Sequence, residues 1–424
     1  YFTTAMEKTL FTFDPRCGKL LLVMIKKRLL NDTLGSYFLF GPRGTGKTTW
    51  LQERFPDAVR ISLLDSAIKR DLRAYPERLI EYIGPLVDGK TVIIDEGLTA
   101  ISASAFQSCT NLTTINIPNS VKSIGNYAFA SCSKLTDITI CSSSAMSAVA
   151  SLCKSNAEMN LTFDIEDVNT SEFYDNDNIA SLTFTSKVKR ISSAAFYQCK
   201  GLKTVTFAEG IETLAGQTFQ YCTGLTSVVI PNSLTTLGGR DFQGCSNLES
   251  VTLGSGLTAV YDYTFADCSN LTSIVIPRGV EYVKNSAFYN CGLTSVTFES
   301  GSNLFEIGGY AFAKNSNLTS ISLPSGLVRL RSYAFQDCGI TSVVIPANVT
   351  IIGKGCFLAT DAANDKIQTI TILGNKDGWY VGESSESTAA EAESALSASD
   401  MESVNLIAVM KNFRNYHIIK EPVE

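Results

Sequence analysis

The residues best suited to chemistry form a glycine-rich loop near the start of the chain. Residues 36–50 read SYFLFGPRGTGKTTW, an apolar run followed by the spacing G-x-x-x-x-G-K-T. Glycines in such a loop let backbone N–H groups approach phosphate oxygens without a Cβ in the way, and the lysine meets the outer phosphates. The predicted phosphate-binding residues are Gly41, Gly44, Gly46, Lys47, Thr48 and Thr49.

A second motif farther along the chain supplies acidic side chains. The apolar run Thr91–Ile94 ends in Asp95 and Glu96. A carboxylate after such a strand, together with the hydroxyl at the end of the loop, is a typical magnesium site. We therefore expect Thr48 and Asp95 to hold Mg²⁺ and Glu96 to orient the attacking water as the catalytic residue. ATP and Mg²⁺ are the predicted cofactors of this segment.

Composition excludes several other classes of protein. The chain has 424 residues and a formal net charge of −6, which offers no broad cationic face and argues against a nucleic-acid partner. The single histidine, His417, leaves no imidazole for a Ser-His-Asp or Cys-His system or a multi-His zinc site. The longest apolar run, Leu20–Ile25, falls far short of the ~20 residues of a transmembrane helix. Oligomeric state cannot be inferred.

The sequence divides into three parts. Residues 1–96 are dense in charge with an excess of Lys and Arg, whereas the following residues are rich in Ser, Thr, Asn and Gly with an excess of acid. Such a step usually marks a domain boundary. We expect a nucleotide-binding segment over 1–96, a repeat region over 97–373, and a cap or tail over 374–424.

An internal repeat with a 23-residue period dominates the second part. A phenylalanine recurs in a similar context, at steps of 23 residues or within one of it apart from one gap. Phe173 and Leu152 fill that gap as two degenerate copies, giving about twelve repeats. The regular positions are Phe106, Phe129, Phe196, Phe219, Phe242, Phe265, Phe288, Phe312, Phe335 and Phe357.

Each repeat predicts one coil of a stacked array. Tyr221–Pro231 reads YCTGLTSVVIP, in which Val228 and Ile230 alternate with Ser227 and Val229 as in a half-buried strand. The proline ends the strand because it has no N–H for the ladder. A single coil cannot bury its own apolar residues, so neighbouring coils must stack on it.

These two patterns resemble two known families. The repeats resemble BspA-like leucine-rich repeats from Glu96 to roughly Leu373, which implies a solenoid with a parallel sheet and a role in adhesion or host-protein binding at a cell surface. The first 96 residues resemble the first half of bacterial AAA-type P-loop ATPases, without their middle strand, arginine finger or lid. The resulting fold class is α/β, a leucine-rich-repeat solenoid of about 12 coils preceded by an incomplete P-loop half-domain.

The junction between the two parts can be interpreted in two ways. Thr91–Ile101, TVIIDEGLTAI, fits the acidic metal strand, and it also fits a repeat strand such as Ser250–Val260, SVTLGSGLTAV. A crossover at a shared phrase is consistent with a recombined chain, a chimera, as well as with a working fusion. The compartment is undetermined, because the repeats favour a secreted or surface protein, the first segment favours a cytoplasmic one, and no signal peptide is visible.

The cysteines predict a ladder of buried thiols rather than disulfides. Eight lie three residues after a repeat phenylalanine, and Asn176 and Asn315 take the same position in two other copies. Asn cannot form a disulfide, so the position favours a small group that satisfies backbone carbonyls within a turn. The eight are Cys109, Cys132, Cys199, Cys222, Cys245, Cys268, Cys291 and Cys338.

Two surfaces are candidates for a protein or glycan partner. The outward strand positions form what we call the strand face, chosen either for cross-strand fit or as a hydroxyl-rich binding platform. They are Thr204, Thr206, Ser227, Val229, Ser250, Thr252, Ser273, Val275, Ser295, Thr297, Ser320, Ser322, Ser342 and Val344. The tyrosine edge consists of Tyr127, Tyr263, Tyr310 and Tyr333, two residues before the phenylalanine, and favours either interface contacts or half-buried packing.

The tail after Leu373 loses the period and is the predicted cap of the last coil. Met401–Phe413 predicts a helix with one stripe formed by Val404, Ile407, Ala408 and Lys411, and His417 is expected to be exposed.

The main functional hypothesis is a non-enzymatic, macromolecule-binding repeat protein with an inactive front segment. The alternatives are an AAA-type ATPase whose repeats recruit partners, and repeats that only separate other domains.

Overall fold

The computed structural model describes residues 10–14, 19–23, 90–93, 100–156, 158–384 and 394–420. They fall into two compact units, an N-terminal unit from Tyr1 to Leu161 and a C-terminal unit from Thr162 to Glu424. Across both units the described coils number about twelve. Within the described ranges no helix is long and apolar enough to cross a membrane.

The N-terminal unit contains a hairpin and the first coils. Its strands are β1 Leu10–Asp14, β2 Lys19–Val23, β3 Lys90–Ile93, β4 Ala100–Ile101, β5 Leu112–Ile117, β6 Ser123–Ile124 and β7 Asp137–Ile140. Strands β1 and β2 pair antiparallel, β3, β5 and β7 are parallel neighbours, and β4 pairs with β6. Helix α1, Met146–Cys153, contains the buried Leu152 in the repeat predicted to be degenerate. Strand β8, Met159–Phe163, contains the boundary between the two units.

The C-terminal unit consists of coils with two parallel ladders. Most coils contribute a longer strand to the first ladder and a two-residue strand to the second, and a residue pairs with its counterpart in the next coil, as Ser227 with Ser250. In one coil the longer strand is reduced to a bridge between Ser320 and Ser342. The first ladder contains β10 Ile179–Phe184, β12 Thr204–Phe207, β14 Ser227–Val229, β16 Ser250–Thr252, β18 Ser273–Ile276, β20 Ser295–Phe298, β23 Ser342–Ile345 and β25 Thr369–Ile372. The second contains β9 Asp167–Val168, β11 Arg190–Ile191, β13 Thr213–Leu214, β15 Thr236–Leu237, β17 Ala259–Val260, β19 Tyr282–Val283, β21 Glu306–Ile307, β22 Arg329–Leu330 and β24 Ile351–Ile352.

A column of stacked phenylalanine rings forms the centre of the C-terminal unit, as the period predicts. From Phe173 to Phe357 neighbouring rings lie parallel with centroids between 5.3 and 5.7 Å apart. Stacking continues where the spacing is 24 residues, at Phe288 and Phe312. Each buried ring removes a large apolar surface from water, so the column is a main source of stability.

The turn that carries the phenylalanine needs left-handed backbone. Around Phe265, Tyr263 has φ 58° and Asp267 has φ 60°, and the same two positions recur in other coils. The N–H groups of Tyr263, Phe265 and Asp267 donate to carbonyls of the next coil at 3.0, 2.8 and 2.8 Å. These bonds hold residues other than glycine in a conformation that costs free energy.

The predicted thiol ladder is confirmed. The Sγ of Cys268 donates to the Phe242 carbonyl one coil earlier at 3.2 Å, and Asn315 makes the equivalent bond to Phe288 through Nδ2 at 2.9 Å. The same bond recurs from Cys132, Cys199, Cys222, Cys245, Cys291 and Cys338. All cysteines in the described ranges are free thiols, and burial raises the pKa of Cys199 to about 12.

The end of the C-terminal unit departs from the coil pattern. Strand β28, His417–Lys420, pairs antiparallel with β24 and with β26, Trp379–Gly382, which also pairs with β27, Ser394–Leu396. Helix α2, Ser403–Asn412, contacts β25. Closing the last coil is therefore the role that we propose for this segment.

Two details of the tail were predicted wrongly. His417 was expected to be exposed, but only 9% of its surface is accessible, because it lies in strand β28 between β24 and β26. Burial, followed by the nearby Lys354 and Arg331, lowers the pKa of its imidazole. The stripe of α2 was also misplaced, because Leu406 and Met410 are buried whereas Ala408 and Lys411 are exposed.

Candidate interaction surface

The strand face is exposed at every position predicted from the strand alternation. Its largest side chains are Val229, Val275 and Val344, which are 63%, 51% and 50% exposed. Residues on the other side of the pleat, such as Val228 and Ile274, are buried in the coil, and Val251 of β16 is half-buried. The alternation of the sequence therefore predicts both the core and the outer face.

No strand-face residue is charged, and all of them are short. Thr369 and Thr371 extend the same pattern along β25, where both are exposed. Hydroxyls can donate and accept hydrogen bonds, and the valines offer apolar surface. When a partner binds here, the short side chains of the strand face lose little conformational entropy and no unpaired charge of the strand face is buried.

The corresponding strands of the N-terminal unit have a different outer face. Thr114, Asn116, Asp137 and Thr139 are half-buried there. Asp137 accepts hydrogen bonds from Thr136 Oγ1 at 2.7 Å and from Asn160 Nδ2 at 3.2 Å. These polar groups already satisfy one another, so the exposed uncharged surface belongs to the C-terminal unit.

The tyrosine edge has both properties that the sequence left open. In the N-terminal unit Tyr127 is 75% exposed. In the C-terminal unit the Tyr310 and Tyr333 rings stack with centroids 4.7 Å apart, and the Arg240 guanidinium lies 4.7 Å from the Tyr263 ring centroid. Exposed rings that are held by stacking are suited to contact a partner.

Another row of tyrosines was missed from the sequence. The Tyr174 and Tyr197 rings stack at 5.0 Å, and Tyr221 lies edge-on to Tyr197 at 5.7 Å. The signal was present, because Tyr174 and Tyr197 each follow a phenylalanine and are spaced by the repeat.

The predicted nucleotide site lies outside the described residues. This applies to the loop residues Gly41, Gly44, Gly46, Lys47, Thr48 and Thr49 and to the acidic residues Asp95 and Glu96. Strand β3, just before Asp95, pairs in parallel with β5, Val92 with Ile115, which is the pairing of a repeat strand. Over the part of the chain that the structure describes, no group of three or more His, Cys, Asp or Glu could hold a metal ion.

Comparison with solved structures finds several leucine-rich repeat proteins. One from Eubacterium ventriosum is 21% identical, with 59% of this chain and 83% of that chain covered and a TM-score of 0.36. A leucine-rich cell surface protein from Faecalibacterium prausnitzii is 24% identical, with 68% and 79% covered and a TM-score of 0.36. The pneumococcal vaccine antigen PcpA is 18% identical, with 79% and 90% covered and a TM-score of 0.38.

Comparison with curated proteins finds no match. A family model described as the BspA type leucine-rich repeat region, with six copies, matches residues 88–203, 189–306 and 235–364. The matched residues include β3 and amount to more than half of the chain, and none of the matches lies within residues 1–87. The resemblance of those residues to an AAA-type ATPase has no support from the comparisons. The chain belongs to the BspA-type leucine-rich repeat family.

Proposed function

We propose that the protein is a non-enzymatic, adhesion-type binding protein whose strand face docks a partner protein. The observation that carries this proposal is the continuous, exposed and uncharged outer face of the first ladder in the C-terminal unit, from Thr204 to Val344. Family membership is consistent with macromolecule binding or adhesion.

The dimensions of the strand face favour an extended partner segment. Parallel strands lie about 4.8 Å apart, so the strands from β12 to β23 present a surface roughly 29 Å long but only two outward residues wide. This is smaller than the ~800 Å² that each side of a standard stable interface buries. We therefore expect contacts spread along the array, each weak, with the valines as the apolar anchors.

The test measures adhesion of beads that carry the full chain to a layer of cultured epithelial cells. Replacing Val229, Val275 and Val344 by lysine places three charges on the strand face without touching the coil interior. We expect adhesion to fall at least ten-fold, and protease treatment of the cells to remove it. The matched control replaces the exposed residues Ser300, Ser316 and Ala347 by lysine, which adds the same charge outside the face.

Equal adhesion by the two triple variants would contradict the proposal. Thermal unfolding of both variants establishes that each remains folded, so a loss confined to the strand-face variant reports on binding. Adhesion that survives protease but is lost after removal of cell-surface glycans would contradict a protein partner.

A further inference from the structure

An open depression lies on the C-terminal unit at the corner where each coil turns toward its phenylalanine. It has a volume of about 400 Å³ and is lined by residues of four successive coils, outside the strand face. Small-molecule sites usually measure about 300–1,000 Å³, so the depression has room for a small ligand or part of a larger one. Four coils at ~4.8 Å spacing make it roughly 14 Å long.

Small residues in one repeat position create this space. Ser193, Gly216 and Gly239 each lie three residues before a phenylalanine, in consecutive coils. Gly216 has φ +98°, and a Cβ there would lie 3.0 Å from the Gly239 carbonyl oxygen. The backbone of these coils is therefore left uncovered as the floor.

Larger polar side chains occupy the same position in the coils beyond and close one end. Asp262 Oδ1 accepts a hydrogen bond from the Asn285 N–H at 2.8 Å, and Asn285 Oδ1 accepts one from the Gly309 N–H at 2.9 Å. These hydrogen bonds hold the Asp262 carboxylate and the Asn285 amide against the backbone of the next coil. Asp262 also lines the depression.

The next position of the repeat, two residues before the phenylalanine, supplies polar side chains to the depression. Gln217 and Arg240 lie there on left-handed backbone, with φ 56° and 63°. The Arg240 guanidinium lies over the Tyr263 ring, which orients its donors, and among the described residues it makes no ion pair. A guanidinium held in this way loses little entropy when it forms hydrogen bonds.

We propose that this depression binds an uncharged carbohydrate. Its polar side chains are one guanidinium, one carboxylate, one amide and two hydroxyls, those of Ser193 and Tyr263, so it contains both donors and acceptors and has no excess of either charge. An anionic ligand would face Asp262, a cationic one would face Arg240, and an apolar one would leave both without partners. The hydroxyls of a sugar donate and accept, and they match the mixed set.

This site goes beyond the proposed function, since it lies on another surface and requires no protein partner. The experiment probes the fluorescently labelled full chain on an array of neutral, sialylated and sulfated glycans. The neutral glycans that bind on the array are then titrated in solution. We expect binding to neutral glycans that falls about ten-fold or more in Arg240→Ala, because hydrogen bonds to a charged donor are lost.

Ser193→Trp provides the steric test, because Ser193 is exposed and its new side chain fills the depression from a position that already has a Cβ. Ser332→Trp is the matched control in the same repeat position of a distant coil, and it should bind as the unaltered chain does. The strand-face lysine variant should also retain glycan binding, which separates this test from that of the proposed function. Absence of neutral-glycan binding, binding to charged glycans only, or binding that survives Ser193→Trp would overturn the proposal.

Discussion

Replacing Asp241 by alanine is expected to stabilise the C-terminal unit at alkaline pH. Asp241 is fully buried directly before Phe242. Its Oδ1 accepts a hydrogen bond from the Thr218 N–H at 3.0 Å, whereas its Oδ2 has no partner. Alanine takes the same position in several coils, at Ala195, Ala287, Ala311 and Ala334.

The size of the effect follows from the pKa of this carboxyl. Burial raises the pKa of Asp241 from 3.8 to about 7, an increase that the hydrogen bond from the Thr218 N–H only partly opposes. The folded state therefore holds the proton more tightly than the unfolded state, and the free energy of unfolding falls as pH rises from about 4 to about 7. A shift of about three pH units corresponds to about 4 kcal/mol at 1.36 kcal/mol per unit.

Alanine removes the buried charge but also the acceptor of the Thr218 N–H. We expect that loss to cost about 1 kcal/mol, because in other coils the same N–H bonds to the carbonyl three residues earlier, as Ala311 does to Gly308 at 3.2 Å. Asp241→Ala should therefore be about 3 kcal/mol more stable than the unaltered chain above pH 7. Near pH 4 it should be about 1 kcal/mol less stable.

The measurement is urea unfolding of the full chain at pH 5 and pH 8, with Asp241→Asn as an uncharged control of the same shape. Between these two pH values the unaltered chain should lose about 3 kcal/mol relative to either variant. A stability difference between Asp241→Ala and the unaltered chain that is the same at both pH values would refute this reasoning.

Two further predictions concern the thiol ladder and the nucleotide motif. Cys268→Val should lower stability by about 0.5–1.5 kcal/mol because it removes one of the two donors to the buried Phe242 carbonyl, which then keeps only the Cys245 N–H at 3.2 Å. Cys268→Asn should cost less, and denaturant unfolding compares the two variants; equal losses would count against the ladder. If residues Gly41–Thr49 and Asp95 bind Mg-ATP, nucleotide at ~100-fold above its Kd should raise stability by about 2.7 kcal/mol, measured by thermal unfolding. Lys47→Ala should remove that shift, and an unchanged melting curve in the unaltered chain would argue against binding.

The repeat region could be predicted from the sequence because one residue pattern recurs in it. The spacing of Phe265 and Phe288 predicts a column, and the exchange of Cys for Asn at Asn315 identifies the carbonyl-binding role of that position. Each such feature depends on local geometry repeated in the next coil. A single correct coil therefore predicts its neighbours.

The remaining features depend on contacts that the period does not encode. His417 becomes buried only because β28 enters between β24 and β26, and nothing in its own neighbourhood signals that pairing. Asp241 and the depression at Gly216 and Gly239 lie inside the repeat but differ from its consensus. The burial of Asp241 and the shape of the depression both depend on contacts between successive coils, which the sequence of one coil does not show.

The pairing between successive coils also affects how the length of such a chain can change in evolution. Neighbouring coils of the C-terminal unit repeat one set of contacts, and the Phe288–Phe312 and Phe335–Phe357 pairs stack alike although one spacing is 24 residues and the other 22. Duplicating or deleting a whole coil by gene recombination therefore preserves each type of contact, with small length differences absorbed in the turns. We therefore expect relatives of this chain to differ in the number of coils. A coil that departs from the consensus, such as the one with Asp241, should distinguish this chain from them.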